Sequence, residues 1–170
     1  IDSTVAALML HKEGYEVVGI TMKTWDYASS VGTSGKKETG CCNLDSFNDA
    51  RQAAVHHGFP HFILDIREEF GDFVIENFVE EYLAGRTPNP CVMCNTHIKW
   101  RALLKRADAM GCDFIATGHY AQVLQHDNGR YFIRKGIDDT KDQSYALWGL
   151  QQDLLSRTLL PLGTYHKKDI

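Results

Sequence analysis

Apolar positions along this chain fall into short contiguous runs and longer runs at helical spacing, and the two kinds alternate. Val5, Leu8 and Met9 predict a helix over Val5 to Leu10, closed by Gly14. Glu16 to Met22 (EVVGITM) reads as a buried strand. Thr24 to Gly40 is rich in Ser, Gly and Thr and reads as a flexible loop. Asn43 to His57 reads as a helix capped by Asn43 or Asp45 and stopped by Gly58, and His61 to Ile66 (HFILDI) as a second strand. Phe70, Phe73, Val74, Phe78 and Tyr82 share one face of a long helix over Glu68 to Ala84. Trp100, Leu103, Leu104 and Ala107 do the same for Ile98 to Met110, ended by Gly111. Phe114 to Thr117 (FIAT) reads as a third strand. Asp127-Asn128-Gly129 joins Ala121–Gln125 to Arg130–Lys135 as a hairpin, and Ser144 to Leu150 reads as a last helix.

This alternation predicts an α/β fold with a mostly parallel sheet and helices on both faces. Ligands of such sheets bind beyond the carboxyl ends of the strands, so the loops after Met22, Asp65 and Thr117 are candidate site walls. At 170 residues the chain is long enough for one domain with a real core. Its net charge of −4 argues against a wholly basic nucleic-acid-binding surface and leaves room for a local basic patch. No apolar run approaches the roughly 20 residues of a membrane span. The five cysteines are clustered and odd in number, with no secretory signal in view, which predicts a cytoplasmic protein with reactive or ligand thiols.

The chemistry concentrates in Gly85-Arg86-Thr87-Pro88-Asn89-Pro90-Cys91-Val92-Met93-Cys94-Asn95. Two prolines one residue apart suppress helix and hold the backbone extended. With Asn95 or Thr96 as cap of the following helix, Cys94 lies at a helix N-terminus, where unpaired N–H groups favour a thiolate. The C-x-x-C spacing of Cys91 and Cys94 suits dithiol–disulfide exchange, zinc, or an iron–sulfur cluster completed by a cysteine from elsewhere. Cys41 or Cys42 is a candidate for completing such a metal site, and Cys112 reads as core. His119, at a strand end, is either site-lining or structural, while His56, His57 and His61 read as solvated surface. Lys99, Arg101, Lys105 and Arg106 form a basic helix suited either to phosphates or to solvent.

Ile1-Asp2-Ser3-Thr4 resembles the tail of an S-G-G-x-D-S phosphate loop, in which bare backbone amides approach a pyrophosphate. GITMKTW (19–25), GRTPNPCVMCN (85–95), ATGHYAQ (116–122) and TKDQSYAL (140–147) follow in order. Together these segments resemble the tRNA-specific 2-thiouridylases of the PP-loop ATP pyrophosphatase superfamily, over nearly the whole chain. The resemblance implies ATP-dependent 2-thiolation of the tRNA wobble uridine: adenylation of the C2 oxygen, then replacement by sulfur from a cysteine persulfide or a cluster-bound sulfide. It implies ATP and Mg²⁺ as cofactors, with a [4Fe-4S] cluster as a further candidate on Cys91 and Cys94. The implied partners are tRNA and a sulfur-relay protein or cysteine desulfurase. By motif position Asp2, Ser3, Met22 and Gly118 serve the nucleotide; Asn89, Pro90 and Cys91 meet the target base; Cys94 is the active cysteine, with Cys91 beside it; Lys141, Asp142 and Gln143 contact tRNA.

Many members of the resembled family carry Asp where this chain has Cys91, and the family's second cysteine, the persulfide carrier, falls beyond Ile170. The chain therefore reads as a fragment truncated at both ends. Residues 1–153 form the nucleotide-binding catalytic domain without its first strand and Ser-Gly-Gly, and 154–170 open a following tRNA-binding region. Two other readings stay open: a different PP-loop adenylating ligase, and a non-enzymatic cysteine-based metal or nucleic-acid-binding module.

Overall fold

The computed structural model describes residues 1–24 and 44–170, with backbone alone for 44–46. The loop expected after Thr24, Cys41, Cys42 and the caps expected at Asn43 and Asp45 lie outside the described residues and side chains. Helix α1 (Asp2–Lys12) starts earlier than its apolar spacing predicts and buries Ala6 and Leu10. Strand β1 (Gly19–Lys23), helix α2 (Leu44–His57) and strand β2 (His61–Asp65) follow. The two strands pair in parallel, Gly19 opposite His61 and Lys23 opposite Asp65. β1 is half-buried along its whole length, so the buried strand expected there is only partly covered. His61 is not the solvated residue expected: its Nε2 lies 2.8 Å from Thr21 Oγ1 on the neighbouring strand. Burial, then the charge of Arg51, lowers its pKa.

Two longer helices each contain a π-helical turn. The first runs through α3 (Arg67–Phe70), a π segment (Gly71–Ile75) and α4 (Glu76–Leu83). The second runs through α5 (Pro90–Met93), a π segment (Cys94–Lys99) and α6 (Trp100–Met110). The sequence predicts that this second helix begins near Ile98; it begins at Pro90. Proline is tolerated at the first helical position because it lacks an N–H that would have no acceptor there, and its φ is preset. Asn89 is the cap, its Oδ1 accepting from Val92 N at 3.2 Å. Asn95 and Thr96, expected as caps, lie inside the helix, and Cys94 sits a turn beyond its start. Gly111 (φ 70°) closes α6 in the left-handed conformation, with Cys112 N donating to Ala107 O at 2.8 Å.

Strand β3 (Ile115–Ala116) pairs in parallel with β6 (Thr158–Leu159). The expected hairpin is formed by β4 (Ala121–Gln125) and β5 (Tyr131–Lys135), antiparallel with Ala121 opposite Lys135. Helix α7 spans Gln152–Leu155. The helix expected over Ser144–Leu150 is only a 3₁₀ turn at Ser144–Ala146. The α/β class stands: among the described residues, two strand pairs are parallel and one is antiparallel.

Trp100, Leu103, Ala107, Ile115, Leu147, Leu150, Leu154 and Leu155 share the main core. Trp100 is fully buried; its Nε1 donates to Thr158 Oγ1 at 2.8 Å, and that hydroxyl donates to Leu154 O at 2.7 Å. Residues 154–170, read from the sequence as the start of a following region, thus contribute Leu154, Leu155 and β6 to this same core. A second cluster, Ile66, Val74 and Ile98, receives Met22, Met93 and Cys94. A third joins Ala6 of α1 to Tyr120 and Leu162. Among the described residues no helix is long and apolar enough to cross a membrane.

Candidate functional site

The first turn of α1 lies against the backbone just after β3. A Cβ on Gly118 would stand 2.5 Å from both Asp2 C and Ser3 N, so only glycine permits this approach. No side chain caps α1, and Val5 N makes the first helical hydrogen bond, to Ile1 O at 3.0 Å. The preceding amides face outward with the positive end of the helix dipole, a suitable seat for an anion. Asp2 sets a carboxylate beside amides that no side chain caps, a donor set that fits the pyrophosphate and Mg²⁺ implied by the resemblance. Asp2 Oδ1 accepts from Lys167 Nζ and, at 3.4 Å, from the Tyr120 hydroxyl. Tyr120 and Lys167 were not singled out from sequence, because only the tertiary fold brings them to residue 2.

His119 is mostly buried beside this seam. Its Nδ1 lies 2.8 Å from Thr117 Oγ1, and its ring centroid lies 5.5 Å from that of Trp100. Burial, reinforced by the charge of Lys99, lowers its pKa to about 3, so it is neutral at physiological pH. It carries no charge to the site and contributes shape and a hydrogen-bonding ring.

The cysteines occupy successive turns of one helix, Cys91 exposed and Cys94 half-buried, with no disulfide at either. Cys94 packs on the cluster that also receives Met22, the residue expected on the adenine side, so both share one apolar neighbourhood. Among the described residues no group of three or more His, Cys, Asp or Glu side chains gathers as a metal site. Two thiols alone fall short of the donor set of an iron–sulfur cluster. The expected placement of Cys94 at a helix N-terminus is corrected: Cys91 lies in the first turn and Cys94 in the π segment after it.

The cysteine helix is fastened to the TKDQSYAL segment. Buried Asn95 donates from Nδ2 to Ala146 O at 3.1 Å. Thr96 packs so closely on Gly149 that a Cβ there would stand 2.3 Å from Thr96 Oγ1. The same segment grips Tyr120 from the other side, since Gln143 Oε1 accepts from Tyr120 N at 3.1 Å and Gln143 N donates to Tyr120 O at 3.0 Å. Asp142 opposes its own burial with hydrogen bonds from Ser144 Oγ (2.8 Å) and Gly136 N (3.0 Å), which leave its pKa lowered. Asp142 and Gln143 therefore serve intrachain contacts, while Lys141 is exposed. A continuous path results: Cys94, Asn95, Ala146, Gln143, Tyr120, Asp2. Arg101, Lys105 and Arg106 project from α6 into solvent.

The model of the tRNA methyl transferase HUP domain matches residues 1–170. The chain is 69% identical over 170 residues to a tRNA-specific 2-thiouridylase MnmA of Amoebophilus asiaticus, covering all of this chain and 44% of that protein. It is also 69% identical over 170 residues to one of Cytophaga hutchinsonii, with all of this chain and 45% of that protein covered. Against one of Salinibacter ruber the identity is 61% over 171 residues, with 100% and 44% covered. The chain spans less than half the length of these curated relatives. The α/β architecture agrees with a family match over the full length: the chain belongs to the tRNA methyl transferase HUP domain family.

Proposed function

We propose that the protein carrying this chain replaces the C2 oxygen of the wobble uridine of tRNA with sulfur in an ATP-dependent reaction. The observation that carries this reading is the path of side-chain and backbone contacts from the cysteine helix through Ala146 and Gln143 to Asp2. It holds a soft nucleophile and an anion seat in one fixed arrangement, which two-stage activation and sulfur transfer need. The name of the curated relatives supports the same reading.

ATP, with Mg²⁺, supplies the activating group that turns the C2 oxygen into a leaving group. The first-turn amides of α1 would seat the pyrophosphate, with Gly118 allowing the close approach of its own strand to that turn, and Asp2 would hold the metal. Met22 flanks the adenine. Asn89, Pro90 and Cys91 border the uracil, which is presented unstacked from the single-stranded anticodon loop. A persulfide sulfur, delivered by a sulfur-relay protein or a cysteine desulfurase, attacks C2 as the activated oxygen departs with AMP; the Cys94 thiolate then takes the carrier's sulfur as a disulfide, which breaks the S–S bond and leaves the outer sulfur on C2. Neutral His119 packs beside the seam without adding charge. Lys141 meets a tRNA phosphate, while Asp142 and Gln143 fix the segment that carries it. No step is routed through an iron–sulfur cluster. The reaction belongs in the cytoplasm, with its tRNA substrate.

The test is stoichiometry. With tRNA, ATP, Mg²⁺ and a persulfide donor, the whole protein is expected to release one pyrophosphate for each 2-thiouridine found by mass spectrometry of the digested tRNA. Pyrophosphate release that ignores tRNA, or tRNA without thiouridine, would overturn the reading.

A further inference from the structure

Lys167 belongs to the 3₁₀ turn Lys167–Asp169, yet its ammonium rests on the first turn of α1. The residue is held at both ends. Its backbone N–H donates to Asp138 Oδ2 at 2.8 Å, and its Nζ donates to Asp2 Oδ1 while lying 5.9 Å from the centroid of the Tyr120 ring. Asp138 is itself fixed by Thr140, whose N and Oγ1 donate to Oδ1 at 3.0 and 2.6 Å. Those hydrogen bonds help hold the Asp138 carboxyl at about 2, so the tether stays ionised through the physiological range.

Stability explains this arrangement poorly. The Lys167 and Asp2 side chains are 36% and 39% exposed, and ion pairs so open to water contribute little to folding. Electrostatics explains it better. The Lys167 ammonium sits on the Asp2 carboxylate in the first turn of a helix with no side-chain cap. The balance there is positive and suits a polyanion. The Asp2 Oδ1 that Lys167 holds is also the oxygen to which Tyr120 donates, so a metal ion that takes Oδ1 must displace the ammonium.

We propose that Lys167 is a positioning residue of the nucleotide site: it competes with Mg²⁺ for the Asp2 carboxylate, and on binding of Mg·ATP its ammonium exchanges onto a phosphate oxygen. The inference rests on the ATP reading of the preceding section. Because Asp138 anchors the Lys167 backbone, the displaced ammonium swings only within its own side-chain reach, where the phosphates against α1 are the anions available. The exchange moves no electrons and breaks no covalent bond.

The competition gives Lys167→Met two effects of opposite sign. It removes a phosphate partner, so Mg·ATP binds the whole protein more weakly, by about tenfold for one lost charge-assisted contact. It also removes a rival for Asp2, so Mg²⁺ alone binds more tightly, by about threefold. A merely structural lysine would shift both in the same direction. Calorimetric titration of wild type, Lys167→Met and Lys167→Arg with MgCl₂ alone and then with Mg·ATP reads both effects. Arginine keeps the charge and is expected to stay within about threefold of wild type for Mg·ATP. If Lys167→Met does not fold, Lys167→Gln, which lacks the charge but keeps a donor, carries the same two titrations with the same signs expected. Equal or same-direction shifts in the charge-removed variant overturn the proposal while leaving the ATP reading intact. Failure of wild type to bind Mg·ATP overturns both.

Discussion

Two helix beginnings in this fold are built in opposite ways. α1 starts with no side-chain cap, with Gly118 backbone pressed on its first residues and the Lys167 ammonium beside them. The cysteine helix starts with its own stopper: Asn89 accepts from Val92 N, and Pro90 has no N–H to offer. One beginning has no side-chain cap; the other has Val92 N capped and no N–H at Pro90. The second is therefore no anion seat. It places Cys91 in the open and turns Cys94 onto the cluster it shares with Met22. A helix N-terminus acquires its chemistry from what surrounds the first turn, and in the proposed reading the contrast separates a phosphate site from a thiol mount.

The contrast can be broken at either end. The largest effect is expected at the α1 seam. Gly118→Val sets a Cβ 2.5 Å from main-chain atoms that cannot step aside, so urea denaturation should show a loss of about 3 kcal/mol, with ATP binding lost in parallel. Unchanged ATP affinity in a folded Gly118→Val protein would mean that the seam is not the nucleotide seat.

The next effect is a pH dependence. His119 titrates at about 3 in the fold and near 6.5 when unfolded, so the unfolded chain takes up the proton first as pH falls. Stability is then full above about 6.5 and declines below it, by about 2 kcal/mol between pH 7 and 5. His119→Gln should remove most of that decline. His61, also lowered by burial, supplies a smaller part in the same direction. A wild-type stability independent of pH over this range would mean that His119 is not shielded from water.

The smallest effect is expected at the cysteine helix. Asn89→Ala removes a cap at a cost of about 1 kcal/mol, while Asn89→Asp retains it. Because these amides hold no ligand in this account, ATP affinity should not follow the change in stability.

Periodicity located most of the elements, since α2, α6, the long helix before Gly85 and the β4–β5 hairpin rest on local spacing and turn chemistry. It misjudged the start of the cysteine helix because the Pro pair was taken as an extended spacer. Asn89-Pro90 in fact carries both the cap and the first-turn proline. The helix expected over Ser144–Leu150 stops early for a tertiary reason. Asn95 takes the Ala146 carbonyl that a helix would offer to Leu150 N, and Leu150 N donates instead to Leu147 O at 3.1 Å. Gly118 was legible only through its motif; the close approach to Asp2 and Ser3 that requires a glycine there is seen only in the fold. Lys167 and Tyr120 were not, since no local pattern announces a contact with residue 2. Asp142 and Gln143 stood out as part of a motif, but their inward hydrogen bonds depend on Gly136 and Tyr120, which only the fold brings near.

The central claim is that the α1 seam and the cysteine helix serve one reaction in sequence. Its most direct test is a single turnover of the Cys94→Ser whole protein with tRNA, ATP, Mg²⁺ and a persulfide donor, following pyrophosphate and 2-thiouridine together. The account predicts tRNA-dependent release of pyrophosphate without thiouridine, because activation remains and the thiol that breaks the persulfide S–S bond is gone. Thiouridine formed at the wild-type rate would contradict it.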